Sequence, residues 1–98
     1  MKFAQIIEFK TIRIDDFNAH FDAWITNSEG HRIPHQAVLQ KDRDAENVYL
    51  LTVKFSSYEV AMENSSRPET GEFAAFLGTL SDGPLSFRNL DVLREEDL

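Results

Sequence analysis

The sequence predicts an α+β domain with the element order β-α-β-β-α-β. Three observations carry this reading. Residues 15–28 set Phe17, His20, Phe21, Trp24 and Ile25 at helical spacing between two strand-like segments. A stretch after Pro68 repeats the pattern with Phe73, Phe76, Leu77 and Leu80. Residues 48–55 are apolar on both alternating faces, as expected of a central strand.

Residues 3–9 alternate Phe3, Gln5, Ile7 and Phe9 against Ala4, Ile6 and Glu8, which marks the first strand. Asp15 or Asp16 caps the helix that follows, its carboxylate accepting from free backbone N–H groups at the positive end of the dipole. Gly30 is the natural stop, because glycine takes the left-handed conformation that closes a helix. Pro34 opens the second strand at 35–40, where a missing N–H costs least. The polar residues 41–47 make a hairpin loop into the third strand at 48–55. Ser56 and Glu59 read as a capping box for a short helix carrying Val60, Ala61 and Met62, which stops at Asn64-Ser65-Ser66. Pro68 fits the first turn of the next helix, with Glu69 and Glu72 near its positive end. Asp82-Gly83-Pro84 ends that helix, and residues 85–93 form the last strand.

The totals bound the function. At 98 residues the chain is expected to be one domain over 1–98. Ten Lys and Arg stand against 17 Asp and Glu, for a formal charge of -7. That negative field disfavours nucleic acid and anionic membrane surfaces as partners. There is no cysteine, which excludes disulfides, thiolate nucleophiles and iron–sulfur ligation and suits a reducing interior. The N-terminal residues lack the pattern of a signal peptide, and no run approaches the roughly 18 apolar residues that span a bilayer. The expected location is cytoplasmic, where the Asn64-Ser65-Ser66 sequon is idle.

The third strand also bears on association. Tyr49, Leu51, Val53 and Phe55 face one way, and Val48, Leu50 and Thr52 the other. Val38, Ile6, Leu90 and Val92 extend the second face, depending on register. Each such side chain left wet forgoes roughly 1.5–3 kcal/mol. A second copy of the chain is the simplest cover, so a homodimer is expected.

Element order, length and the doubly apolar third strand resemble the dimeric α+β barrel superfamily. Arg67-Pro68-Glu69-Thr70, Asp82-Gly83-Pro84 and Phe87-Arg88-Asn89-Leu90-Asp91-Val92 are similar to segments in small bacterial proteins of that superfamily. The resemblance implies a ferredoxin-like unit, with helices on one face of an antiparallel sheet and two sheets packed face to face between chains. It also implies kinship with the antibiotic biosynthesis monooxygenases, which oxidise polycyclic phenols with dioxygen and neither metal nor flavin. Their pocket lies between the sheet and the helices of one subunit. The haem degraders of the superfamily use an Asn on the first strand and a Trp–His pair further along. Here the first strand offers Gln5, and Trp24 lies on the first helix, so haem degradation is discounted.

His20 and Trp24 are one helical turn apart and share a surface. His20 can serve as a general base toward a phenol while Trp24 stacks on its ring, since imidazole titrates near neutrality. The bland alternative places His20 at the edge of an amphipathic stripe and Trp24 in the core. Phe73 and Phe76 would complete the aromatic walls, and Gln5 or Tyr49 would orient the substrate by a hydrogen bond. Tyr49 otherwise reads as a core residue with a satisfied hydroxyl. Glu8 and Lys54 can pair across a subunit contact, and Arg67 and Arg88 suit surface salt bridges. His31 and His35 give an H-x3-H spacing, but in extended chain they lie ~13 Å apart, too far to share a metal ion. His35 alone can still point into a cavity. The expected function is a cofactor-independent monooxygenase acting on a small aromatic or phenolic substrate, with no metal or cofactor. The alternative is a non-catalytic homodimer that binds a small ligand or serves a structural role.

Overall fold

The structure, a computed structural model, describes residues 1–30 and 33–98. Its elements are β1 (Phe3–Lys10), α1 (Ile14–Asn27), β2 (Gln36–Lys41), β3 (Val48–Phe55), α2 (Tyr58–Ser65), α3 (Pro68–Leu80) and β4 (Ser86–Asp91). The sheet runs β2-β3-β1-β4 with every neighbouring pair antiparallel. This is the ferredoxin-like α+β arrangement expected from the sequence, with the short helix present as α2 ahead of the long helix α3. No helix among the described residues is long and apolar enough to cross a membrane.

Register decides which side chains face the helices, because directly opposed residues share a face. Phe3 opposes Phe55, Gln5 opposes Val53, Ile7 opposes Leu51, and Phe9 opposes Tyr49. Phe3, Ile7, Phe9, Leu51 and Phe55 on this face are all buried. Phe17 of α1 and Leu77 and Leu80 of α3 join Ile7, Phe9 and Leu51 in the main core. The Phe9 ring stacks on Phe17 at 5.3 Å and on Tyr49 at 5.9 Å. A smaller cluster of Phe3, Phe55 and Ala61 sits at the other end of the sheet, with Tyr58 edge-on to Phe3 at 5.4 Å.

The second face is mixed rather than continuously apolar. Register places Ala4, Ile6, Val38, Val48, Leu50 and Leu90 there, interleaved with Glu8, Lys10, Gln36, Gln40, Thr52, Lys54 and Arg88. Val38 and Leu90 are exposed, at 37% and 41%. Val92 follows the end of β4 and donates its N–H to the Lys2 carbonyl at 2.9 Å. The last strand is thus shorter than the predicted 85–93, and every one of its six residues is exposed.

Two caps differ from expectation. Neither Asp15 nor Asp16 is the N-cap of α1; that position is Arg13, and no side chain caps it. The cause lies just upstream, where the Arg13 N–H donates to Thr11 Oγ1 at 2.9 Å and starts the helix early. Both aspartates fall in the first turn, where the dipole still favours them, and Asp16 accepts from Arg13 Nε at 2.8 Å. For α2 the cap is Ser57, not Ser56, its Oγ accepting from the Val60 N–H at 3.1 Å. That shift leaves Glu59 one place too early for a reciprocal capping box. Pro68 opens α3 as predicted. Gly30, at φ +84°, turns the chain away after α1.

Thr11 is fully buried and ties four segments together. Its N–H donates to the Asn47 carbonyl at 2.9 Å, and its hydroxyl donates to the Leu80 carbonyl at 3.1 Å. The same hydroxyl receives the Arg13 N–H. A Thr11→Val variant keeps the shape and strands one buried acceptor and one donor. We expect it to lose about 2 kcal/mol of stability in urea denaturation. A loss below about 0.5 kcal/mol would show that the knot is dispensable.

Candidate functional site

Between the two apolar clusters the helices do not fill the space above the sheet. A partly open cavity of about 320 Å³ remains. Its floor is Gln5 and Ile7 of β1 with Leu51, Val53 and Phe55 of β3. Phe21, Trp24 and Ile25 of α1 and Phe73 and Thr70 of α3 form the upper walls. Asn64 of α2 and residues Pro34, His35, Gln36 and Ala37 complete the lining.

The aromatic wall is a packed group of rings. Phe21 lies 5.7 Å from Trp24 and 5.9 Å, edge-on, from Phe73, while Trp24 and Phe73 are 6.4 Å apart. Among the described residues no Asp, Glu, Lys or Arg lines the space, and His35 contributes an imidazole. A site of this kind suits an uncharged, flat, largely apolar ligand steered by a few polar groups.

Of the residues predicted for a site, the cavity brings together Gln5, Trp24 and Phe73. It does not include His20, Phe76 or Tyr49. The His20 imidazole stacks on the Phe76 ring, with centroids 3.9 Å apart and planes 8° from parallel. Phe73 lies 5.7 Å from His20 and also touches Trp24, so it stands between them. One helical turn does place His20 and Trp24 on one surface of α1, but α3 divides that surface. Tyr49 is drawn instead into the stack on Phe9, as its core reading anticipated.

Sequence reasoning missed Asn64, Thr70 and Phe21 as lining residues. Asn64 carried a usable signal. It is 9% exposed and continues the inward stripe of Val60 and Ala61, where helical spacing calls for an apolar residue. His35 lines the cavity, as its position before β2 allowed. His31 lies outside the described residues, and so does the spacing argument about the His31–His35 pair. Among the described residues no three His, Asp or Glu side chains gather as a metal-binding set.

Three further polar contacts lie outside the aromatic wall. Gln5 Nε2 donates to Asn89 Oδ1 at 3.2 Å across the β1–β4 pair. Past β4, Glu95 pairs with Lys2 at 3.0 Å. The hydrogen bond and charge of Lys2 hold the Glu95 carboxyl below its ordinary value, with smaller help from the charges of Lys54 and His35. Arg67 pairs with Glu69 at 3.5 Å, the surface role expected of it.

Neither a family model nor a curated protein sequence matches the chain. Solved structures do. Rv0793 from Mycobacterium tuberculosis superposes with a TM-score of 0.76 at 23% identity, covering 99% of this chain and 100% of that one. SnoaB from Streptomyces nogalater, a cofactor-independent oxygenase, gives 0.78 at 14% identity over 96% and 95% of the two chains. A protein of Caulobacter crescentus, provisionally described as an antibiotic biosynthesis monooxygenase, gives 0.78 at 14% identity over 95% and 91%. The resemblance seen in the sequence therefore holds at the level of fold.

Phe73→Ala removes the ring between the two aromatic neighbourhoods. It is expected to cost about 3 kcal/mol and to shift Trp24 emission to the red. His20→Ala should lose only the stack on Phe76, about 1 kcal/mol, and leave the emission maximum in place. Equal red shifts in both variants would contradict the separation of the two sites.

Proposed function

We propose that the cavity binds a small aromatic molecule and that the protein oxidises a phenolic one with dioxygen, without a cofactor. One observation carries the reading. A space of about 320 Å³ is walled by Phe21, Trp24 and Phe73 and, among the described residues, is lined by no carboxylate or ammonium and by one imidazole, His35. The fold shared with SnoaB, described as a cofactor-independent oxygenase, supports it from outside. The base we assign is His35 rather than His20, because a base must reach the proton it removes and His20 faces Phe76 instead.

Loss of the phenolic proton to His35 leaves an electron-rich ring that can itself reduce dioxygen. A phenol and one dioxygen yield a quinone and one water, so the substrate supplies all the electrons. The protein's tasks are to hold the ring flat against the aromatic wall, take the proton and limit access of bulk water. Trp24 and Phe73 provide the wall, and Gln5 and Asn64 offer hydrogen bonds. An engineered cavity of about 150 Å³ holds one benzene ring, so this space suits roughly two fused rings.

We further propose that a second copy covers the open sheet face. Ile6, Val38, Val48, Leu50 and Leu90 supply its apolar part. Glu8 of one copy can meet Lys10, Lys54 or Arg88 of the other, the kind of complementarity a two-fold contact needs. Such packing would complete the barrel that the superfamily resemblance implies. At micromolar concentration light scattering should then give about twice the chain mass of 11.3 kDa. Leu50→Asp should halve that mass while preserving the far-ultraviolet spectrum. A monomeric wild-type protein would end the dimer proposal.

Activity is tested by oxygen uptake with 1-naphthol. His35→Ala is expected to lower kcat about 10²-fold, and His20→Ala to leave it near wild type. Saturable binding with no oxygen uptake would replace the enzyme with the non-catalytic ligand-binding alternative.

A further inference from the structure

We infer that Gln5 selects ligands carrying a hydroxyl, through a carbonyl oxygen whose orientation Asn89 sets. The inference rests on the reading of the cavity as an aromatic-ligand site. Gln5 is a half-buried polar residue on an otherwise apolar floor, with Phe3 and Ile7 on either side along β1 and Val53 across on β3. Its cross-strand partner on β4 is Asn89. The only hydrogen bond of its side chain among the described residues runs from Nε2 to Asn89 Oδ1, at 3.2 Å. One of the two Nε2 hydrogens is thereby engaged, which fixes the amide's orientation, and Oε1 has no partner among the described residues.

An amide fixed this way offers Oε1 as an acceptor beside one remaining Nε2 hydrogen, a pair that only a hydroxyl can satisfy in full. A hydroxyl over the floor satisfies Oε1, whereas a methyl ether or a carbonyl at that place leaves the oxygen unpaired. Without Asn89 the amide can turn over and present its NH2, which would favour a carbonyl instead. Asn89 is thus a positioning residue that biases the cavity between two oxidation levels of one ring. For the proposed oxidation this has a direct use. Gln5 holds the arriving phenol until its proton passes to His35, and it does not hold the quinone that leaves.

The experiment measures binding of 1-naphthol, 1-methoxynaphthalene and 1,4-naphthoquinone by calorimetry to wild type, Asn89→Leu, Asn89→Asp and Gln5→Leu. Asn89 is exposed on an edge strand, so its replacements are compatible with folding. Wild type should prefer the naphthol about tenfold over both other probes. Asn89→Asp keeps an acceptor for Nε2 and should keep that preference. Asn89→Leu and Gln5→Leu should reduce it to less than about threefold. Equal affinity of wild type for naphthol and its methyl ether would overturn the inference and leave the aromatic site standing. So would an undiminished preference in Asn89→Leu. Failure of all three probes to bind wild type would overturn the aromatic-site reading, and this inference with it.

Discussion

The buried hydroxyl of Thr11 governs how the helices are hung on the sheet. It receives the backbone of α1's first residues and gives its proton to the last turn of α3, at the point where β1 ends. Both long helices are therefore pinned at the same edge of the structure, over Phe9 and Phe17. Packing there is tight, with Phe9, Phe17 and Leu77 almost wholly removed from solvent. Away from that edge α1 and α3 meet through the rings of Phe21, Trp24 and Phe73. A short helix, α2, closes the far end through Ala61 against Phe3 and Phe55. The unfilled space lies between these two plugs, which locates it in the middle of the helix-covered face.

That location explains the chemistry of the space. Strand positions on this face are apolar because the helices must bury them, so a hollow here inherits an apolar floor. Polar groups enter where the sequence breaks its own pattern, at Gln5 on β1, Asn64 on α2 and Thr70 on α3, and from His35 and Gln36 at the start of β2. Glu8, Lys54 and Arg88 lie on the second sheet face, away from the hollow. A ring-lined pocket in a strongly acidic protein is thus the by-product of ordinary burial rules, modified at a few positions.

Most of the fold was legible because period-2 and period-3.6 patterns report burial directly. Phe17, Phe73, Leu77 and Leu80 were visible as inward residues for that reason. The site was less legible. His20 and Trp24 look equivalent along α1, and only the crossing of α3 separates them, a long-range fact that spacing on one helix does not encode. The cap of α2 was missed by one residue and that of α1 by two or three, since the position of Thr11 and the choice between Ser56 and Ser57 depend on chain direction after a strand ends. Gln5 was recognisable from sequence as a polar residue on a covered face. Its partner Asn89 became visible only through register, 84 positions away.

The outer border of β4 has a consequence for handling the protein. All six of its side chains are wet, Phe87 among them at 50%, and its far edge has no neighbouring strand. Unpaired amides and carbonyls beside an exposed ring form a template on which extended chains can dock and grow. Brevity and the charges of Arg88 and Asp91 are the protection against this. Neutralising Arg88 or Asp91 would remove part of that protection at this margin without touching the core.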